Sequence, residues 1–298
     1  MSALLLLVLC LLLGVGVARF ANPPPTLAQG LNWWVLNIAL PALVLHLIPP
    51  LQLDWHLWFL PASLWFVFGG AWAFFAYIGK RLHWSREQIG ALTLVCGLGN
   101  TSFIGYPMIE TLRGQDGLTL AVVGDQTGSF LMLAVGGAIV SAVYSGDAVQ
   151  PRQIIRKIAL SPSLLAFIAG LIAGACGGWP DDIADILQRL GATLVPLALF
   201  SVGLQLTLRL APGQMTIAAI GLSWKLVAAA AIVFATGRLF GISREIVDIA
   251  VLQAAMAPMI SAAILATQHD LDPPLANTVL GIGILISFFS VPLANLLL

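Results

Sequence analysis

The sequence CGLGNTSFIGYP, residues 96–107, interrupts a long apolar run with small residues, hydroxyl and amide groups and a proline. A comparable interruption, QAAMAPMIS, occupies residues 253–261. Proline lacks an amide hydrogen and releases the carbonyl four residues earlier, so Pro258 frees the carbonyl of Ala254. Lipid cannot hydrogen-bond such groups, and each break must therefore face protein or a water-lined cavity. Broken helices in corresponding halves of a chain indicate a transporter binding site.

The composition is that of a protein embedded in a lipid bilayer. Hydrophobic residues make up 59% of the chain and charged residues 9%, whereas about 25% of the residues of a soluble domain are charged. The mean hydropathy is +0.98. The formal net charge of zero gives no support for a nucleic-acid partner. We expect an integral protein of the inner (plasma) membrane.

The hydropathy pattern predicts ten membrane spans, because a helix of about 20 apolar residues crosses a hydrocarbon core of about 30 Å. The spans cover approximately residues 2–19, 31–51, 57–79, 87–112, 117–145, 161–178, 184–209, 213–237, 244–268 and 273–297. The predicted fold class is therefore an all-α integral membrane protein with ten transmembrane helices. Spans 4 and 9 carry the two breaks.

The two halves of the chain resemble each other. Ser85-Arg86-Glu87 opens span 4 and Ser243-Arg244-Glu245 opens span 9. We assign residues 1–145 to a first repeat, residues 146–160 to a cytoplasmic connecting loop, and residues 161–298 to a second repeat. A repeat of five spans has an odd number, so the second copy enters the membrane from the opposite face. This predicts an inverted repeat in which spans 4 and 9 are antiparallel and cross near the midplane.

The distribution of lysine and arginine in the loops predicts the orientation, because positive charge concentrates on the cytoplasmic side. The loops after odd-numbered spans hold Arg19, Lys80, Arg81, Arg86, Arg152, Arg156, Lys157 and Arg209. The other loops hold Arg113, Arg189, Arg238 and Arg244. Both termini are expected on the non-cytoplasmic side.

The motifs at the two breaks resemble those of a known family. Asn100-Thr101-x-x-x-Gly105-x-Pro107 in span 4, and Gln253-Ala254-Ala255-Met256 with Pro258 in span 9, are similar to the auxin efflux carrier family. That family includes the plant PIN carriers and bacterial proteins often called malonate transporters. Its ninth span often places proline directly after the methionine or leucine, whereas Ala257 intervenes here.

The resemblance implies a fold like those of the bile-acid symporters and sodium/proton antiporters. Helices 1, 2, 6 and 7 would form a scaffold, and helices 3–5 and 8–10 a transport core that moves against it like an elevator. The known substrates of the family are mostly organic carboxylates, and the plant members export the auxin anion.

The break in span 4 offers groups that suit a carboxylate. Asn100, Thr101 and Ser102 can donate hydrogen bonds, and a half-helix N-terminus offers unpaired amides with positive dipole character. The alternative is that these polar groups only repair the broken helix. The candidate substrate-binding residues are Asn100, Thr101, Ser102, Pro107, Ala257, Pro258, Met259 and Ser261.

Charged residues inside the spans are candidates for ion coupling, because a charge within the membrane is costly unless it is paired or hydrated. Asp125 in span 5 could carry a coupling proton or help to ligate Na⁺; alternatively it is a fixed partner of Lys225 in span 8. Lys225 is either a counter-charge for the substrate or half of a structural ion pair. Gln126 and Gln253 complete this set. No cofactor is expected beyond a coupling ion, Na⁺ or H⁺.

Further polar residues have weaker assignments. Asn37, Ser201 and Gln205 could line the scaffold side of a cavity, and His46 could either pack against a neighbouring helix or relay protons. The glycine pattern from Gly170 to Gly178 allows close helix approach, within one chain or in a homodimer.

Asp181-Asp182-x-x-Asp185 has the spacing of magnesium sites in prenyl-transfer enzymes. Without a second acidic cluster, we interpret it as carboxylates at a helix start and expect no metal site. We therefore predict a secondary active transporter of a small organic anion, and not an enzyme. The alternative is a membrane receptor or sensor that binds the same ligand without transporting it.

Overall fold

The computed structural model describes residues 2–52, 54–206 and 213–298 of the chain. Within those ranges the chain is helical and contains no β-strand, and its one isolated β-bridge joins Gly99 and Pro258 in antiparallel fashion. The expectation of an all-α protein is confirmed for these residues. Arg209, used above for the orientation, lies outside them, as do the last residues predicted for span 7.

The helices of the first half are often divided by short π-helical or 3₁₀ turns. Up to the connecting segment they are Ser2–Phe20, Leu27–Trp34, Val35–Ala39 (π), Leu40–Leu47, Trp55–Trp58 (3₁₀), Phe59–Arg81, Arg86–Gly97, Gly105–Gly124, Asp125–Ser129 (π), Phe130–Met132, Leu133–Gly137 (π) and Ala138–Ser145. Those that follow are Pro151–Ala159, Pro162–Ala175, Asp181–Ala192, Leu194–Gln205, Met215–Ser223, Trp224–Ala228 (π), Ala229–Leu239, Arg244–Ala254, Ile260–Gln268 and Pro273–Leu297.

Six helical segments among the described residues are long and apolar enough to cross a membrane. They are Leu27–Leu47, Trp55–Arg81, Gly105–Ser145, Asp181–Gln205, Met215–Leu239 and Pro273–Leu297. A seventh is obtained if Pro151–Ala159 and Pro162–Ala175, which are bent by 49° at their junction, count as one span. The protein is therefore a multi-pass integral membrane protein.

The connecting segment is more ordered than the sequence led us to expect. Residues 146–160 are predicted to be a loop, but they contain the helix Pro151–Ala159. Ile154 and Ile158 are half-buried, while Ile155, Arg152 and Arg156 are exposed. The helix is thus amphipathic, and the connecting segment contains a regular helical stretch.

The gap between the spans predicted for residues 87–112 and 117–145 is reduced to one non-helical residue. Gly114, at φ 69° and ψ −165°, interrupts an otherwise continuous helical segment that starts at Gly105. A residue without Cβ adopts this backbone conformation without steric cost.

The residues group into two compact units. The first comprises Met1–Asp54, Ser102–Val122 and Arg156–Leu206; the second comprises Trp55–Thr101, Val123–Ile155 and Thr207–Leu298.

The first unit contains a close helix contact between Ser2–Phe20 and Leu194–Gln205. A Cβ built on Gly14 would lie 2.9 Å from the Cα of Gly203 and would collide with the carbonyl oxygen of Phe200. Two glycines therefore let the two backbones touch, which is how small residues promote helix packing in membranes.

The second unit has a core of aromatic and aliphatic side chains. The ring of Phe74 stacks on Trp224 with centroids 4.8 Å apart, and Phe75 contacts Trp224 edge-on at 6.2 Å. At the end of this unit, the Asp147 carboxylate accepts hydrogen bonds from His269 Nδ1 and Ser145 Oγ, each at 2.8 Å. These bonds lower the pKa of Asp147.

Candidate functional site

The two predicted breaks meet in the second unit. The helix Arg86–Gly97 ends before one break, and Arg244–Ala254 ends before the other. The amide of Asn100 donates to the carbonyl of Ala257 at 2.8 Å, and the amide of Met259 donates to the carbonyl of Leu98 at 3.3 Å. Each break thus satisfies backbone groups of the other, as an environment without water requires.

The junction is closely packed because glycines line it. The ring of Pro258 packs against Gly283, where a Cβ would lie 2.5 Å from both Cγ and Cδ of the proline. A Cβ built on Gly124 would collide with Gln253 Oε1 and lie 3.2 Å from Nε2 of the same side chain. Gln253 is fully buried. Its side-chain amide fits at this position because residue 124 is a glycine, and a side chain there would occupy the same space.

Lys225 reaches the end of the broken helix. Its Nζ donates to the carbonyl oxygen of Ala254 at 2.9 Å, and its side chain is 1% exposed. This carbonyl is the one that Pro258 cannot bond. The sequence identifies the released carbonyl but not its donor, because Lys225 lies 29 positions earlier in the chain.

The carboxylate of Asp125 lies in the same unit and is 2% exposed. Its Oδ1 accepts a hydrogen bond from the Thr101 hydroxyl. Its Oδ2 accepts one from Gln126 Nε2 at 2.9 Å. A residue of the span 4 break thus supports a carboxylate of span 5, which is consistent with a buried acid that needs donors.

The two buried charges beside the breaks, Asp125 and Lys225, lie on π-helical turns. Asp125 begins the turn Asp125–Ser129, and Lys225 is the second residue of Trp224–Ala228. Turns of this kind are rare, and they occur frequently at functional sites. No signal in the sequence indicated these turns.

Thr101→Val tests the support of this carboxylate. A hydrogen bond to a charged group contributes about 1.5–3 kcal/mol, and we expect the free energy of unfolding to fall by that amount. Thr93→Val is the matched control, because Thr93 is equally buried but donates to the Ile89 carbonyl of its own helix at 2.8 Å. That neutral bond contributes about 1 kcal/mol. Thermal unfolding of purified protein in detergent compares the two, and equal losses of stability would show that Thr101 has no special role.

Other predicted substrate-binding residues are placed less closely together. Asn100, Ala257 and Met259 are buried at the junction, whereas Ser261 is exposed in the first turn of Ile260–Gln268. Ser102 and Pro107 belong to the first unit.

The predicted cavity-lining residues belong to the first unit, where they bond within their own helix or to a neighbouring helix. Asn37 Nδ2 donates to the Trp33 carbonyl at 2.9 Å. Ser201 Oγ donates to Asn32 Oδ1 at 2.6 Å and accepts from Gln205 Nε2 at 3.1 Å. Asn32 was not singled out from the sequence, although it lies five positions before Asn37 in the same span.

His46 lines a cavity of about 600 Å³ within the first unit. Glu110, Gln115 and Gln188 also line this cavity. Gln115 Nε2 donates to Glu110 Oε1 at 2.7 Å. Glu110 is partly exposed.

The aspartates with the magnesium-site spacing begin a helix. Asp181 and Asp182 lie in the first turn of Asp181–Ala192. Carboxylates are stabilised there by the positive end of the helix dipole. Over the described ranges, no group of three or more His, Cys, Asp or Glu residues is arranged to hold a metal ion.

A family model and two known proteins are similar in sequence to this chain. The sequence model of a family described as "Membrane transport protein" matches residues 1–294. The chain is 27% identical, over 275 residues, to an uncharacterized transporter of Methanothermobacter thermautotrophicus, with 91% of this chain and 89% of the relative covered. It is 26% identical, over 200 residues, to an uncharacterized transporter of Methanocaldococcus jannaschii, with 65% and 64% covered.

Proposed function

Because this chain belongs to the auxin efflux carrier family of membrane transport proteins, we propose that it is a secondary active transporter of a small organic anion. The substrate is a carboxylate, either auxin-like or a dicarboxylate. It binds where the two broken helices meet, and the site opens alternately to the two faces of the membrane. The relatives described above are named transporters, and their names give no substrate.

The paired breaks carry this proposal. They bring Asn100, the half-helix Ile260–Gln268 and two buried charges, Asp125 and Lys225, into one unit. An anion could accept hydrogen bonds from the side-chain amide of Asn100 and from backbone amides at the positive end of Ile260–Gln268. Repair of the broken helices alone would not require a buried carboxylate.

The proposed architecture has ten spans in two inverted repeats. It counts the broken segments 87–112 and 244–268 as spans 4 and 9. It also divides Gly105–Ser145, of 41 residues, at Gly114, because that segment would measure about 60 Å at about 1.5 Å per residue. That length is about twice the hydrocarbon core. Both termini lie on the non-cytoplasmic side of the inner membrane.

An elevator mechanism is supported by the two compact units. Spans 1, 2, 6 and 7 fall in the first unit, and spans 3 and 8–10 fall in the second. This grouping agrees with a scaffold and a transport core, except that residues 102–122 group with the first unit. A ligand or ion biases the two facing states only if it binds them with different affinity. We assign this role to the substrate together with a coupling ion at Asp125, either H⁺ or Na⁺, with Gln126 and Gln253 as neighbours.

Asn100→Ala tests the binding site. The variant is expected to lose at least about tenfold in carboxylate affinity, since a buried donor to a charged group contributes about 1.5–3 kcal/mol. Binding is measured by ligand-dependent thermal shift and by counterflow of labelled carboxylates in proteoliposomes. Asn277→Ala is the matched control, because Asn277 is a half-buried asparagine of the same unit and lies on Pro273–Leu297, outside both breaks. An unchanged affinity in a folded Asn100→Ala variant would remove Asn100 from the site.

The alternative is a receptor or sensor that binds the same anion without moving it. Counterflow distinguishes the two, because only a transporter exchanges labelled internal substrate for external substrate. Saturable binding without exchange, by folded wild-type protein, would favour the receptor.

A further inference from the structure

The strongest unexplained feature of the second unit is the ammonium group of Lys225 at the end of Arg244–Ala254. A helix C-terminus carries a partial negative charge, and cations near it are stabilising. Pro258 cannot donate to the Ala254 carbonyl, and lipid offers no donor. This carbonyl therefore requires either a donor from the protein or a bound cation.

Broken helices in other transporters commonly meet this requirement with an ion. Unwound carbonyls and half-helix C-terminal ends coordinate Na⁺ or H⁺ in such proteins. Here the Nζ of Lys225 lies 2.9 Å from the Ala254 oxygen. A lysine ammonium is a compact point charge on a flexible stem, and it is suited to replace a monovalent cation.

Gly99, which lacks a side chain, leaves room for the ammonium group of Lys225. A Cβ built on Gly99 would lie 2.9 Å from Lys225 Nζ and 3.1 Å from the Gln253 carbonyl oxygen. Gly99 is itself the residue that bridges to Pro258. The side chain of Lys225 thus ends beside both breaks. It lies next to the Gly99 backbone of the span 4 break, and it donates to the Ala254 carbonyl that Pro258 releases in the span 9 break.

We propose that Lys225 is a tethered cation that occupies the place of a bound metal cation at the break of span 9. The protein therefore assembles this end of the helix without Na⁺. If the chain transports an organic anion as proposed above, its exchange does not require Na⁺. The two Asp125 oxygens accept hydrogen bonds from the Thr101 hydroxyl and from Gln126 Nε2, so we also assign H⁺ rather than Na⁺ as the coupling ion there.

Replacing the lysine by a smaller side chain tests this proposal by chemical rescue. Lys225→Ala removes the stem and the charge and leaves space for a small primary ammonium ion. Purified Lys225→Ala in detergent should unfold about 5 °C below the wild type. Propylammonium chloride should restore at least half of that difference, whereas choline chloride at equal ionic strength should not.

Two further variants separate the charge from its packing. Lys225→Met fills the space of the stem without a charge, so it should lose stability and show no rescue. Lys80→Ala removes an exposed lysine at the end of Phe59–Arg81, and it should respond to neither salt. The proposal would be overturned if propylammonium stabilised the wild type, Lys225→Ala and Lys225→Met equally. It would also be overturned if Lys225→Met were as stable as the wild type.

Exchange in proteoliposomes then tests the consequence for transport. Wild-type counterflow should be the same in sodium and in choline buffers, and Lys225→Ala should regain activity with propylammonium. A wild type that requires Na⁺ would contradict the tethered cation. A wild type that shows no exchange, combined with stability rescue of Lys225→Ala, would instead contradict the transport function and leave the role of Lys225 intact.

Discussion

Gly14→Leu is expected to lower the free energy of unfolding by about 3 kcal/mol, or roughly 6–10 °C in Tm. The side chain would be built toward the backbone of Gly203 and the carbonyl of Phe200. A rotamer change of a neighbouring side chain cannot relieve such a collision, because backbone atoms cause it. The helices Ser2–Phe20 and Leu194–Gln205 would have to separate. Thermal unfolding in detergent, followed by intrinsic fluorescence or light scattering, measures the loss.

The same helix provides a matched control. Gly16 lies on Ser2–Phe20, and among the described residues no atom beyond its chain neighbours and its own helix backbone lies within 4 Å of the position where its Cβ would be. Gly16→Leu adds the same apolar volume and the same helix propensity, so its Tm should remain close to that of the wild type. If both leucine variants unfold at the same temperature, the contact between Gly14 and Gly203 does not hold these helices together.

The second large effect is expected at Asp125, in the pH dependence of exchange. A carboxylate that binds one coupling proton can change the rate by at most about tenfold per pH unit, according to the linkage between protonation and free energy. An asparagine can still accept the hydrogen bond from Thr101, but it cannot take up a proton. Asp125→Asn should therefore exchange labelled carboxylate at a rate that is nearly independent of pH. Counterflow rates between pH 5 and 8 provide the measurement.

Asp147→Asn is the control for this experiment, because Asp147 is an exposed aspartate of the same unit. Its exchange should retain the wild-type pH profile. An Asp125→Asn variant with the wild-type profile would return Asp125 to a structural role, as the partner of Thr101 and Gln126. Loss of all exchange together with loss of the folded protein would give the same conclusion.

The sequence predicted the features that depend on local chemistry. Family membership is confirmed by the match over residues 1–294, and the helical, membrane-embedded character is confirmed for the described residues. The span predicted for residues 273–297 coincides with the helix Pro273–Leu297. Both breaks were located correctly because proline and small polar residues within an apolar run prevent a regular helix.

The features that depend on distant packing could not be predicted. The donor for the Ala254 carbonyl and the partner of the Asp125 carboxylate are set by how separate helices align. The glycine at position 124 could have been noticed, since it directly precedes Asp125, but its contact with Gln253 depends on the fold. Binding roles for Asn100 and the residues around it remain predictions.

The pair of backbone hydrogen bonds between the breaks has a mechanical consequence. Residues outside regular secondary structure often serve as hinges, at which the chain bends. Here the bonds from Asn100 to Ala257 and from Met259 to Leu98 fasten one interruption to the other. The two interruptions are thus held together by backbone hydrogen bonds. We expect the two broken helices to move as one body, because a displacement of one would carry the other with it.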